Sequence, residues 1–228
     1  MAIFQAFRAL RPVPDKAEAV AALPYDVVTR EEAKEIGDQN PDSFLHVDRA
    51  EMDLPADTDL YDQKVYDRAR ENLINMEKNG ILVQDGAPCY YIYELTRKGK
   101  TQTGLVGCCS IDDYMNGVVK KHELTREDKE QDRIHHVDVC DANTGPIYLA
   151  CKYPQELLDL METWKASHDA IYDFVAEDEI GHRVWVIDGE AEKKVIAEQF
   201  GNIPYIYIAD GHHRAASAVK VGLKRREE

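Results

Sequence analysis

The 228-residue sequence has no apolar run near the ~18–20 residues that cross a bilayer. Its first residues, Met1-Ala2-Ile3-Phe4-Gln5-Ala6-Phe7-Arg8, lack the basic start and long apolar stretch of a signal peptide. Basic residues are scarce. Lys and Arg number 28 against 43 Asp and Glu, a formal net charge of −15. Such a balance argues against nucleic acid and anionic membranes as partners, because their affinity comes mainly from Lys and Arg. It leaves room for a phosphate ligand, since a few cations and a helix N-terminus act locally. Cysteine is also sparse. The five residues Cys89, Cys108, Cys109, Cys140 and Cys151 are odd in number and contain no Cys-x-x-Cys. They read as reduced, mostly core cysteines of a cytoplasmic protein, not as disulfides or a thiolate zinc site. With 44% apolar residues and no repeat or low-complexity tract, the chain is expected to fold around a sizeable core.

Helical and strand patterns alternate. Asp15 to Leu23 reads as a short helix ended by Pro24. Thr29-Arg30-Glu31-Glu32 is a capping box, whose hydroxyl and carboxylate satisfy free backbone N–H groups, and it opens a helix to Gly37. Asn40-Pro41 precedes an expected strand, Phe44 to Val47, and the acidic segment Ala50 to Thr58 reads as an exposed loop. Tyr61, Val65, Ala69, Leu73 and Met76 mark one face of a long helix ending at Gly80. Cys89 to Thr96 and Thr101 to Ser110 predict a hairpin. A helix from Thr125 to about His136, a strand at Ile147 to Tyr153 and a helix at Gln155 to His168 follow. The last elements are a strand at Val184 to Ile187, a helix at Glu190 to Phe200, an apolar strand at Ile203 to Ala209, and a helix at Ala215 to Val221. The expectation is one α+β unit over residues 1–228, a mixed sheet with flanking helices, divided if anywhere near residues 80–88. The uncapped final helix suggests the N-terminal part of a longer protein.

Two segments carry chemistry. Asp210-Gly211-His212-His213-Arg214 turns the apolar strand into the last helix. Glycine there lets backbone N–H groups approach a ligand, and the helix N-terminus favours an anion such as phosphate. Arg214 adds a two-pronged contact for phosphate oxygens, and the imidazoles donate hydrogen bonds or protons. A bare turn capped by Asp210 would have little need of this crowding. Upstream, Lys120 to Arg133 is densely charged. Arg126, Lys129 and Arg133 form a basic stripe beside acidic Glu127 and Glu130, as a solvated helix held by salt bridges would. His122-Glu123 stands before that helix, where the carboxylate is a candidate base for an alcohol and Lys121, Thr125 and Arg126 are candidate substrate contacts. Asp26, Ser43, His46 and Asp48 sit on turns and are candidates for the same cleft, capping being the simpler account. His135, His136, His168 and His182 read as surface residues.

Pro24-Tyr25-Asp26-Val27-Val28, Asn40 to Val47, Lys121-His122-Glu123-x-Thr125, Lys129-Glu130-x-Asp132-Arg133 and Tyr207 to Arg214 together resemble the family called domain of unknown function 1015. The likeness covers essentially the whole chain and resembles the N-terminal half of longer members. The Asp210 to Arg214 loop is also similar to the phosphate loop of the ParB/sulfiredoxin-like superfamily, especially its free-serine kinases. That resemblance implies a ParB/sulfiredoxin-like core and a kinase reaction using Mg2+ with ATP or ADP as phosphate donor and L-serine as acceptor. Glu123 would be the base, helped by His122. Gly211, His212, His213 and Arg214 would hold the phosphate, with Asp210 orienting the loop. Here the two motifs are separated by residues 124–209, farther apart than in the short serine kinases, so the acceptor pocket is expected to differ. A nucleotide-binding switch without turnover and a metal-dependent hydrolase using His122, Glu123 and His212 are the alternatives.

Overall fold

A computed structural model describes residues 1–123 and 126–228. Along the chain the longer helices are α1 (Arg30–Gln39), α2 (Gln63–Lys78) and α3 (Glu127–Cys140). They are followed by α4 (Gln155–Ser167), α5 (Glu190–Gly201) and α6 (His212–Glu227). The longer strands are β1 (Tyr90–Arg97), β2 (Lys100–Val106), β3 (Tyr172–Val175), β4 (Gly181–Ile187) and β5 (Ile206–Asp210). The chain is α+β. It divides into two compact units, Met1–Glu18 with Val83–Lys120 and Leu149–Tyr207, and Ala19–Leu82 with Lys121–Tyr148 and Ile208–Glu228. One of the points where the chain leaves one unit for the other is 82–83.

The first unit is built on an antiparallel sheet of order β2-β1-β4-β3. Lys98 and Gly99 both take positive φ, at 50° and 73°, the backbone that a two-residue hairpin turn between twisted strands requires. Alternate residues Tyr90 and Ile92 of β1 and Trp185 and Ile187 of β4 enter one core with Leu157, Met161 and Trp164 of α4 and Ile196 and Phe200 of α5. Phe4 stacks between Tyr90 and Phe200, its ring centroid 5.2 and 4.1 Å from theirs. The indole N–H groups are satisfied by backbone carbonyls, Trp164 donating to Val186 and Trp185 to His168.

Two details of this unit differ from the sequence expectation. The second hairpin strand stops at Val106, and Cys108–Cys109 pairs instead with Phe4–Gln5. Gly107 stands at the break, where a Cβ would lie 2.6 Å from the Phe4 ring. Strand β3 was not expected, since its four residues are too short for a clear alternation.

The second unit is mainly helical. The Thr29 capping box forms as expected, with Thr29 N–H donating to Glu32 at 2.8 Å and Glu32 N–H to Thr29 Oγ1 at 3.2 Å. Helix α2 buries Val65, Tyr66, Ala69, Leu73 and Met76, while Tyr61 lies outside it and exposed. The expected strand at Phe44 to Val47 is instead a helical turn, Leu45–Asp48. Its backbone is satisfied locally, by Leu45 N–H on Ser43 Oγ and Arg49 N–H on the Leu45 carbonyl, so it needs no partner strand. The segment expected as an exposed loop buries Ala50, Glu51 and Met52. It is wrapped around the Arg30 guanidinium, which donates to the carbonyls of Glu51, Pro55, Ala56 and Thr58.

Helix α3 is the largest correction. Glu130, Arg133, His136 and Cys140, three, three and four residues apart, form its buried face. The helix packs against α2 and α6, so charge there marks an inner polar seam and not only a solvated stripe. His136, expected at the surface, is buried, and its Nε2 donates to the Val47 carbonyl at 3.0 Å. Burial and the nearby Arg133 charge lower its pKa from the usual histidine value, which keeps the ring neutral. Thr125 lies outside the described residues, and α3 is described from Glu127.

Candidate functional site

The last residue of β5, Asp210, and the first of α6, His212, are joined by Gly211 at φ 87°, a left-handed backbone that glycine adopts without a Cβ penalty. The Arg214 side chain folds back over this glycine. A Cβ on Gly211 would lie 3.2–3.3 Å from the guanidinium. Arg214 Nη2 donates to Asp210 Oδ2 at 2.7 Å and Nη1 to the Pro146 carbonyl. Thus the loop presents the helix's first N–H groups, which have no intrahelical acceptor, beneath an oriented cation.

Packing sets the rest. Ala215, Ala216 and Ser217 are buried where α6 lies against α3, and Ser217 Oγ donates to the His213 carbonyl at 2.7 Å. Small side chains allow this close approach. Lys220 of α6 pairs with the buried Glu130 carboxylate. Lys224 and Arg225 pair with Asp138, and Arg225 also with Asp141.

The residues before α3 come to the same place. The Glu123 carboxylate lies 3.5 Å from His212 Nδ1, and the His122 and His212 rings meet edge to face at 4.5 Å. His212 is buried and its Nε2 has no hydrogen-bond partner among the described residues, whereas Glu123 is 59% exposed. The Arg126 N–H donates to His213 Nε2 at 3.1 Å. Its guanidinium turns instead to Asp128, at 2.7 Å. Lys121 is exposed one residue before His122.

The remaining candidates separate. Ser43 is buried and its oxygen accepts the Leu45 N–H. His46 Nδ1 faces Asp53 at 2.9 Å, and its ring lies against Gly37, where an added Cβ would be 3.2 Å away. The Asp53 hydrogen bond raises the His46 pKa against the opposing effect of burial. Burial would raise Asp53, but hydrogen bonds from His46 and Asn72 hold it below the ordinary carboxylate value. Ser43 and His46 therefore brace the turns around Leu45–Asp48. Asp26 is exposed, and Asp48 accepts the Thr144 hydroxyl at 2.6 Å.

Sequence reasoning missed three participants. Tyr25, inside the Pro24 to Val28 motif, carries the Arg133 guanidinium 4.3 Å from its ring centroid. Arg133 itself is buried and pinned to Asp132 by two contacts of 2.9 and 3.0 Å. The segment Thr144-Gly145-Pro146 braces Arg214, with a Cβ on Gly145 falling 3.3 Å from its Cδ. The motif and the basic stripe signalled the first two, but nothing in residue type signalled the third.

The chain belongs to the DUF1015 family, described as a protein of unknown function, whose model matches residues 4–228. No curated protein and no solved structure matches it. Among the described residues no helix is long and apolar enough to cross a membrane. Among the same residues no group of three or more His, Cys, Asp or Glu side chains is placed to hold a metal ion.

Proposed function

We propose that this protein is a cytoplasmic small-molecule kinase with a ParB/sulfiredoxin-like core, transferring a phosphoryl group from ATP or ADP to the hydroxyl of a free amino acid, L-serine. One observation carries this reading: Glu123 stands 3.5 Å from His212, the first residue of the helix behind the Gly211 turn. A free carboxylate beside an anion-favouring helix start is the equipment that phosphoryl transfer to an alcohol needs. Glu123 takes the hydroxyl proton as the acceptor oxygen bonds to the terminal phosphorus, and the bond from that phosphorus to the bridging oxygen breaks. The N–H groups at the start of α6 and the Arg214 guanidinium carry the charge on the phosphate oxygens.

Magnesium fits this donor set, because it keeps most of its waters and asks for only one or two carboxylates besides the phosphates. Asp210, 71% exposed, is the carboxylate that would hold it. When bound, it would neutralise phosphate charge in a chain of net charge −15.

The test is turnover read by mass spectrometry, with magnesium, each of ATP, ADP and pyrophosphate, and the twenty amino acids. Phosphoserine from the wild type, reduced about 10²–10⁴-fold in Glu123→Gln, is expected. Absence of any phosphorylated amino acid would overturn the kinase, and nucleotide binding without product would make the chain a nucleotide switch. Full activity in Glu123→Gln would remove Glu123 from the role of base.

A further inference from the structure

The Pro24 to Val28 segment is not used by the reaction above, yet its tyrosine is fixed from two sides. Arg49 Nη1 donates to the Tyr25 carbonyl at 2.9 Å, which holds the backbone. The Arg133 guanidinium lies over the ring at 4.3 Å, which holds the side chain. Arg133 is in turn clamped by Asp132, whose other oxygen accepts the Tyr66 hydroxyl at 3.0 Å. A tyrosine restrained this thoroughly at backbone and ring would ordinarily spend its hydroxyl on a protein acceptor. Here the hydroxyl of this half-buried tyrosine has no hydrogen-bond partner among the described residues.

Its electrostatic surroundings are mixed. Burial raises the Tyr25 pKa most, the Arg133 charge opposes this, Asp26 and Asp132 raise it further, and Arg214 acts in the same direction as Arg133. The net direction is upward, so the phenol keeps its proton and stays a donor. Arg214, whose guanidinium lies over Gly211, is one of the charges that act on the phenol.

We propose that the Tyr25 hydroxyl, together with Arg133 and Arg214, is a binding subsite for an anionic oxygen of the ligand. The proposal rests on the kinase reading and adds a recognition residue to it. Two sources share this chemistry, a phosphate of the nucleotide donor and the carboxylate of the amino-acid acceptor. A neutral donor with the Arg133 guanidinium against its ring suits either, and it favours a ligand carrying that charge. Arg133 positions the ring, and Tyr25 makes the contact.

Calorimetric titration of the purified chain with MgADP, inorganic pyrophosphate, L-serine and L-serinol tests this. Tyr25→Phe removes only the hydroxyl and leaves the ring under Arg133. It is expected to weaken binding about tenfold for one anionic ligand class, the loss of one charge-assisted hydrogen bond. Weakened MgADP and pyrophosphate with unchanged L-serine assigns a phosphate oxygen. Weakened L-serine, with L-serinol binding poorly to wild type and variant alike, assigns the carboxylate. Wild-type binding of either class, unchanged in Tyr25→Phe, overturns the subsite while leaving the kinase reading standing. A wild type that binds none of the four overturns both. Thermal melts of Tyr25→Phe and Arg133→Lys run alongside keep a folding defect from passing as lost recognition.

Discussion

Replacing Gly211 with alanine should reveal how much the chain commits to the loop before α6. At φ 87° a Cβ meets the local carbonyl, a penalty of about 1–2 kcal/mol for a non-glycine residue in the left-handed region. The same Cβ would lie 3.2–3.3 Å from the Arg214 guanidinium, which must retreat by a few tenths of an ångström. That retreat is cheap in energy because the obstacle is the end of a flexible side chain, although it loosens Arg214 from Asp210 and Pro146. The expected stability loss is therefore the backbone contribution, about 1–2 kcal/mol. For a chain of this size that is a fall in Tm of about 2–8 °C. Gly80→Ala is the control, since Gly80 has φ 70° with open space around its missing Cβ. It should lose similar stability without disturbing Arg214. Gly211→Asn should recover part of the loss, asparagine being the side chain that best tolerates this conformation. Differential scanning calorimetry of the three variants decides the matter. An unchanged Tm in Gly211→Ala, or an equal fall in Gly211→Asn, would refute a left-handed Gly211.

Other perturbations test other parts of the reasoning. Thr144→Val removes the hydrogen bond to Asp48 and should free the segment that braces Arg214. Phenylglyoxal labelling followed by peptide mass spectrometry should then find Arg214 modified faster while Arg126 is unchanged, and Thr144→Ser should restore protection. Equal Arg214 labelling in wild type and Thr144→Val would deny the brace. The His46–Asp53 pair makes stability depend on pH. The raised His46 pKa contributes fully below its unfolded value of 6.5 and is lost as pH rises through the folded value. The depressed Asp53 pKa contributes above 3.8 and is lost as pH falls through its folded value. The stability gap between wild type and Asp53→Asn, read by urea denaturation, should accordingly be widest between those two values and narrow above neutrality. A gap that is flat from pH 5 to 9 would contradict the pairing. Gly107→Ala places a Cβ 2.6 Å from a Phe4 ring already stacked on Tyr90 and Phe200, and should cost about 1–3 kcal/mol in the same denaturation experiment.

Sequence patterns were most reliable where a local rule decides the structure. The Thr29 capping box, the face of α2 from Val65 to Met76 and the Lys98-Gly99 hairpin each follow from neighbouring residues alone. So does the strand-to-glycine-to-helix turn at Asp210 to Arg214, although the helix starts at His212 and not at Ala215 as expected. The short runs were not decided by pattern. Phe44 to Val47 fits a strand or a helical turn equally, and the turn is held by local bonds such as Leu45 N–H to Ser43 Oγ.

Charge was the least legible signal. In sequence, α3 presents stripes that a solvated helix would carry, and no apolar period marks an inner face. Its buried face exists because Glu130 finds Lys220, Arg133 finds Asp132 and Tyr25, and His136 finds the Val47 carbonyl. Most of these partners are 89–108 positions away, beyond any pattern that neighbouring residues can display. Residue type and spacing alone fixed the identity of the groups in the candidate site: a carboxylate before a helix, and glycine, histidines and arginine at a strand end. Tertiary structure alone put Glu123 beside His212, laid Arg214 over Gly211 with Pro146 as its acceptor, and left the Tyr25 hydroxyl without a partner among the described residues. The physical reason is that chain neighbours set backbone conformation, whereas the satisfaction of a buried charge or hydroxyl depends on which distant groups the packing delivers to it.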